Sequence, residues 1–315
     1  MLSTFKKYTA HLSLLCIITV GLFSSYFWNL SSYVVIPKKL SLCSCDKCLT
    51  KGDSWFRELI NSSPKPFLSA KDPISEDVFN WWRRLQSERH SFTFYNATVE
   101  KLFKIFRPIP DVAEVSPDRC RSCAVVGNSG NLRKSHYGPL IDFHDIVIRM
   151  NRGRTKGFET DVGTKTTHHV MYPESVTSLD NTTHLVLFPF KIKDLLWLLK
   201  TFDPQKTSAV NSKSRANKDM VMILNPAFMK YVHESWLKKK GRYPSTGFLT
   251  LAFSIQICDE VSVYGFGADR DGNWNHYFEV LKNKKLRTGP HAGIHEYEVI
   301  KRLERMQKIQ FFKGW

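Results

Sequence analysis

Two asparagine-bearing turns, each closing a short apolar run, carry the first chemical signal. Ala124-Val125-Val126 stops at Gly127 and is followed by Asn128-Ser129-Gly130-Asn131, and Ile146-Val147-Ile148 ends at Arg149-Met150-Asn151. At the C-terminal ends of parallel strands, such turns form a crevice of backbone N–H groups and amide side chains that suits a nucleotide. The spacing is neither G-x-G-x-x-G nor a P-loop, so dinucleotide and Walker-type NTP binding are not indicated. An ordinary strand–turn–helix would carry the same residues.

A second group, Arg242-Tyr243-Pro244-Ser245-Thr246-Gly247, leads into an apolar run ending near Ile257. Pro244 fixes the entry, Ser245 and Thr246 can cap a helix, and Gly247 lets the backbone approach a ligand. Free N–H groups and the helix dipole at this start favour an anion such as a phosphate, although most Ser/Thr caps hold no ligand. The next apolar run, Val261–Tyr264, ends in Gly265-Phe266-Gly267, where the glycines admit a sugar or base close to the chain. Two histidines complete the set: His276 in Trp274-Asn275-His276-Tyr277, and His291 with Glu296 behind it. Both lie in glycine-rich, loop-like sequence. An imidazole can take or give a proton near neutral pH, but a lone loop histidine is usually only solvated.

These residues need a sheet to position them. Strands are expected at 123–127, 145–150, 167–172, 184–189, 219–224 and 261–266, with helical patterns at 191–201, 226–238 and 247–257. Alternation of this kind predicts an α/β domain with a mostly parallel sheet covered on both faces. Residues 74–89 and 98–106 read as further helices, Pro108, Pro110 and Pro117 mark the approach to the core, and the polar stretch 202–218 reads as a surface loop. No internal repeat is visible.

The formal net charge of +17 permits nucleic acid, an anionic surface or an acidic substrate. Basic residues are scattered, with local clusters only at Lys238-Lys239-Lys240 and Lys282–Arg287. No zinc-finger spacing or RNA-binding aromatic motif accompanies them, so an anionic small molecule is favoured over nucleic acid.

At the N-terminus, Lys6-Lys7 precede Tyr8–Ile36, a stretch without Asp, Glu, Lys or Arg. Its centre, Leu12–Leu30, is long enough to span a bilayer, and Tyr26, Phe27 and Trp28 suit an interfacial belt. A cleaved signal peptide is disfavoured by the length of the run and the lack of an A-x-A-like site. The expected organisation is a cytoplasmic tail (1–7), a signal-anchor (8–30), a stem (31–72) and a lumenal catalytic domain (73–315).

Beyond Cys16 in the span, six cysteines remain: Cys43, Cys45, Cys48, Cys120, Cys123 and Cys258. An even number in a lumenal chain implies disulfides. Cys45-x2-Cys48 with Cys120-x2-Cys123 also fits a four-cysteine zinc site, which needs reduced thiols and so conflicts with that compartment. N-glycosylation sequons begin at Asn61, Asn96 and Asn181, and a fourth at Asn29 lies too near the membrane.

In order and spacing, CAVVGNSGNL…RMN, RYPSTG…CDEV…YGFGAD, His276-Tyr277 and His291-x4-Glu296 resemble the large, small, third and very small sialylmotifs of animal sialyltransferases. The similarity runs from about Trp81 to the C-terminus, and the Cys-x-Cys-x2-Cys of the stem extends it. GRYPSTG, GTKTTHH and YPES look most like the β-galactoside α2,3-sialyltransferases acting on Galβ1-3GalNAc.

The resemblance implies a GT-A-like, Rossmann-like variant fold, a Golgi type II membrane enzyme, CMP-sialic acid as donor, and a galactose-terminated O-glycan or glycolipid as acceptor. Carried over by motif position, Asn128 and Asn151 contact CMP. Gly247 and Gly267 line the nucleotide site with Ser245 and Thr246 beside them. His276 meets the donor phosphate, His291 is the catalytic base, and Gln86 and Tyr243 contact the acceptor. The implied disulfides are Cys43–Cys48, Cys45–Cys120 and Cys123–Cys258, the last tying together the two halves of the nucleotide crevice. One departure stands out: related enzymes often carry a phosphate-contacting tyrosine before the 219–224 strand, and residues 201–219 contain none.

The chemistry is consistent with this assignment. Loss of CMP from a tertiary carbon develops oxocarbenium character, so the site must stabilise a leaving phosphate and accept a proton from the incoming hydroxyl. CMP leaves readily, so a metal is not obligatory, and the resemblance implies a metal-independent enzyme without a cofactor. Asp269-Arg270-Asp271 matches a metal-binding D-x-D but is read as a solvated loop. A membrane-anchored glycan-binding protein on the same fold, without turnover, is the alternative.

Overall fold

The computed structural model describes residues 19, 45 and 49, together with 53–107, 120–203, 216–280 and 288–314. The chain divides into two units, Met1–Ser41 and Leu42–Trp315. Apart from Thr19, the first lies outside the described residues, as does the expected anchor. Among the described residues, no helix is long and apolar enough to cross a membrane.

Seven strands form one sheet: β1 (Ser122–Val126), β2 (Ile146–Met150), β3 (His168–Met171), β4 (His184–Leu187), β5 (Val221–Ile223), β6 (Glu260–Tyr264) and β7 (Gln310–Phe312). The order is β5-β4-β3-β2-β1-β6-β7, and every pair is parallel. The six expected strands are present within two residues of their expected limits. The chain builds outward from β1 on one side, then crosses to place β6 on the other. This reversal between β1 and β6 opens a crevice at their C-terminal ends, where open α/β sheets bind ligands.

Strand residues are mostly buried, with Val, Ile, Leu and Met recurring in β1 to β6, as expected where both faces of a parallel sheet are largely covered. Helix Thr246–Ile257 covers β1, β2 and β6; nine of its residues are buried, so its apolar character runs all round rather than along one stripe. Helix caps follow the sequence signals: Asp53, Ser75, Ser91, Asn225 and Ser245 each accept a hydrogen bond from the first turn of the helix they precede. The expected helix 226–238 is an α-turn, Pro226–Tyr231, continued by a π-helical segment, Val232–Trp236.

The globular part begins earlier than the expected boundary at residue 73. Phe56, Leu59, Phe67 and Leu68 are buried in the main core. The Leu68 N–H donates to the Ile223 carbonyl at 2.8 Å, and the Tyr231 hydroxyl donates to the Leu59 carbonyl. Residues 54–72 therefore pack as part of the domain rather than as a stem. Cys45–Cys120 and Cys123–Cys258 are disulfide-bonded, which places Cys120 and Cys123 in separate bonds and leaves no four-thiolate zinc set. Cys43 and Cys48 lie outside the described residues. Asn61 and Asn181 are exposed, whereas Asn96 is half-buried within helix Phe92–Ile105.

Candidate active site

A cleft of about 480 Å³ occupies the crevice. Asn128, Asn151, Ser245, Thr246, Gly247, Gly267, His276 and His291 all line it. The turns after β1, β2 and β6 converge there with the N-terminus of helix Thr246–Ile257, Tyr172 after β3, and the segment from Thr288 into helix Gly293–Arg305.

The turns after β1 and β6 meet backbone to backbone. A Cβ on Gly127 would lie 2.3 Å from the Gly265 carbonyl oxygen, and the Ser129 N–H donates to that same oxygen at 3.0 Å. Glycine is required here by this close approach. Asn128 donates its amide to the Met150 carbonyl at 3.1 Å, joining the β1 and β2 turns.

Asn151 sits in the left-handed region at φ 54°, which asparagine tolerates better than most residues. Its conformation is held on three sides. The Asn151 N–H donates to the Val170 carbonyl at 2.7 Å, the Ser175 hydroxyl donates to Oδ1 at 3.0 Å, and His169 Nε2 donates to its carbonyl at 2.7 Å. Burial pushes the His169 imidazole down to about 4, so it is neutral at physiological pH.

Ser245 is committed to structure. Its Oγ accepts from the Phe248 N–H at 3.1 Å and donates to Glu296 Oε2 at 2.6 Å, while its N–H donates to Glu296 Oε1 at 2.8 Å. Burial pushes the Glu296 carboxyl above its ordinary value, against the Ser245 hydrogen bonds. Glu296 thus fastens the start of helix Thr246–Ile257 to helix Gly293–Arg305. Of the early N–H groups of the former, those of Thr246 and Gly247 are not taken up by these bonds and face the cleft their residues line.

The two histidines are held differently. His291 Nδ1 lies 3.0 Å from the Tyr243 carbonyl, which can only accept. The proton therefore sits on Nδ1, and in the neutral ring Nε2 keeps its lone pair. Tyr243 also packs edge-on against the His291 ring at 5.0 Å. His276 Nδ1 pairs with Glu279 Oε1 at 2.8 Å. Burial works to raise the Glu279 carboxyl, but the His276 hydrogen bonds outweigh it and leave it below its ordinary value.

Neither expected acceptor contact lines the cleft directly. Tyr243 stands behind His291. Gln86 Oε1 accepts from Lys191 Nζ at 3.4 Å, and Lys191 pairs with Glu174 at 2.6 Å, two residues beyond the cleft-lining Tyr172. Tyr172, Phe266, Trp274 and Tyr297 line the cleft without having been singled out as site residues. Aromatic type alone did not separate them from core residues. His169 and Ser175, which hold Asn151, were visible only as parts of GTKTTHH and YPES.

Asp269 is a turn residue. Its Oδ1 accepts from the Asp271 and Asn273 N–H groups at 3.0 and 2.8 Å, and Oδ2 from the Asn273 amide at 3.3 Å.

Comparison with known proteins gives a consistent result. Residues 67–308 match the model of glycosyltransferase family 29 (sialyltransferase). The CMP-N-acetylneuraminate-beta-galactosamide-alpha-2,3-sialyltransferase 1 of Sus scrofa is 41% identical over 98% of each chain, and that of Gallus gallus is 45% identical over 86% of this chain and 82% of its own. A crystal structure of a mammalian sialyltransferase in complex with Gal-beta-1-3GalNAc-ortho-nitrophenol is 44% identical, with a TM-score of 0.77 over 87% of this chain and 100% of that one.

Proposed function

Since the chain belongs to glycosyltransferase family 29, the sialyltransferases, we propose that it transfers sialic acid from CMP-sialic acid to the 3-hydroxyl of the terminal galactose in Galβ1-3GalNAc-type glycans. The galactose O3 attacks C2 of the sialic acid, the bond from C2 to the CMP phosphate breaks, and configuration inverts. His291 Nε2 takes the O3 proton. His276 and the Thr246 and Gly247 N–H groups stabilise the negative charge on the departing phosphate. The observation that carries the reading is the fixed tautomer of His291, which leaves Nε2 basic in the cleft that His276 also lines. The acceptor assignment is supported by the ligand of the 44% identical mammalian structure. Tyr243 and Gln86 are assigned to the acceptor, Asn128 and Asn151 to CMP. Residues 8–30 anchor the chain in the Golgi membrane as a single-pass type II protein, with residues 1–7 cytoplasmic.

The deciding experiment is release of CMP from CMP-sialic acid, with and without Galβ1-3GalNAc. Release that depends on the acceptor, with product linked at O3, supports the reading. Binding of both sugars without release would overturn it.

Two further outcomes are expected. Ser175→Ala frees the Asn151 amide to rotate, and losing one such hydrogen bond weakens CMP affinity about two- to tenfold. Titration of CMP measures it, and unchanged affinity would remove Ser175 from donor positioning. Activity should also persist in EDTA, because the carboxylate of Asp269 is engaged in its own turn. Loss of activity in EDTA, restored by Mn²⁺ or Mg²⁺, would instead make Asp269-Arg270-Asp271 a metal site.

A further inference from the structure

A second cavity, of about 560 Å³, lies beside β3. On this face of the sheet, Ala124, Val126 and Val147 are covered by a small apolar cluster. Farther out the row continues through Arg149 to its β3 neighbour His169, and the cover there is a polar cavity. Parallel sheets ordinarily carry apolar cover on both faces, so this opening is unusual.

Its lining has a definite chemical character. Arg152, Arg154 and Lys156, from the segment after β2, contribute three cations. The one carboxylate, Asp180, already accepts from the Thr182 N–H and hydroxyl at 2.9 Å. Hydroxyls come from residues such as Thr164, Thr166 and Thr177, and no Phe, Tyr or Trp lines the cavity.

We propose that this cavity is a second binding site, for an anionic saccharide bearing sulfate or carboxylate groups. Guanidinium and ammonium groups pair with the anionic substituents, and threonine hydroxyls match sugar hydroxyls. The volume falls in the range of small-molecule sites and exceeds what a lone inorganic anion fills. The absence of an aromatic ring leaves a nucleotide base nothing to stack on. The site borders the catalytic cleft, because Arg152 and Gly153 directly follow Asn151 and the His169 wall of the cavity holds the Asn151 carbonyl.

Titration calorimetry on the full chain, with sucrose octasulfate as the probe, tests this. Sucrose and inorganic sulfate serve as comparison ligands. The double variant Arg154→Ala/Lys156→Ala should weaken octasulfate binding about three- to tenfold, the effect of removing two exposed ion pairs. Lys238→Ala/Lys239→Ala, an equal change of charge elsewhere, should leave it within about twofold. Lys156→Ala alone removes one exposed side chain and should give the same direction if the double variant melts early. Equal weakening by both double variants would overturn the proposal in favour of general charge attraction. No weakening by Arg154→Ala/Lys156→Ala, or inorganic sulfate binding as tightly as octasulfate, would overturn it as well.

Discussion

Replacing His291 with alanine is expected to lower kcat by about 10²–10⁴-fold, the usual contribution of a single general base, while CMP binds with nearly wild-type affinity. The separation of the two effects follows from how the ring is held. Its Nδ1 proton is fixed on the Tyr243 carbonyl, so the ring's remaining function is at Nε2. The elements proposed to bind CMP are fastened by other bonds: Asn151 by Ser175 and His169, and the start of helix Thr246–Ile257 by Glu296. Losing the imidazole leaves those bonds in place. A steady-state measurement of kcat beside a CMP titration decides the matter. A variant that keeps more than about a tenth of wild-type kcat, well above what loss of a base leaves, would remove His291 from this role. A His291→Ala variant that instead lost CMP affinity in parallel with kcat would make the ring a positioning group.

The contrast with His276 sharpens the assignment of roles. A carboxylate partner sets a negative charge beside the ring, and a carbonyl partner fixes a tautomer without supplying charge. His276 has Glu279 as its partner, and His291 has the Tyr243 carbonyl. The first arrangement suits electrostatic support of a phosphate, and the second suits acceptance of a proton. Sequence types alone give two histidines of equal standing; their partners distinguish them.

Legibility in the sequence follows the range of the interactions. The strands that position the site are legible because β1, β2 and β6 are short, largely aliphatic runs closed by Gly127, Asn151 and Gly265, and those turns line the cleft. Helix Gly293–Arg305 was read as loop because its N-cap is Ala292, which offers no side-chain cap, and Ile294 in its first turn is exposed. The seventh strand, β7, is not legible because three residues show no period. The role of Glu296 depends on a contact with Ser245, 51 residues away, which no local pattern encodes. Gln86 rests on motif position in a different way. Motif position assigned it to the acceptor, yet the fold sets it against Lys191, outside the residues that line the cleft.

Breaking the Cys123–Cys258 bond by Cys258→Ser should lower the melting temperature on the order of 10 °C and change CMP affinity little while the protein stays folded. The bond closes a separation of 135 residues, and in the chain-entropy model loops of that size contribute about 4–5 kcal/mol. Both residues are buried, at 0% and 3% exposure, so the variant also leaves an unpartnered thiol and a serine hydroxyl in the core. Its location determines the second half of the expectation. Cys123 opens β1, next to the pairing of Ser122 with Glu260, whereas the cleft lies at the far end of β1 and β6. The bond therefore fastens the base of the β1–helix–β6 unit and does not tie the two halves of the crevice directly, as its sequence position had suggested. The crevice is closed by the Gly127–Gly265 approach and by the Ser245–Glu296 hydrogen bonds, none of which the substitution touches. Thermal unfolding with and without CMP separates the two contributions. A melting temperature within about 2 °C of wild type, below what even 1 kcal/mol would produce, would show that the bond adds little. A tenfold loss of CMP affinity at 25 °C, well below the variant's melting point, would show that the base of the unit and the cleft are mechanically coupled after all.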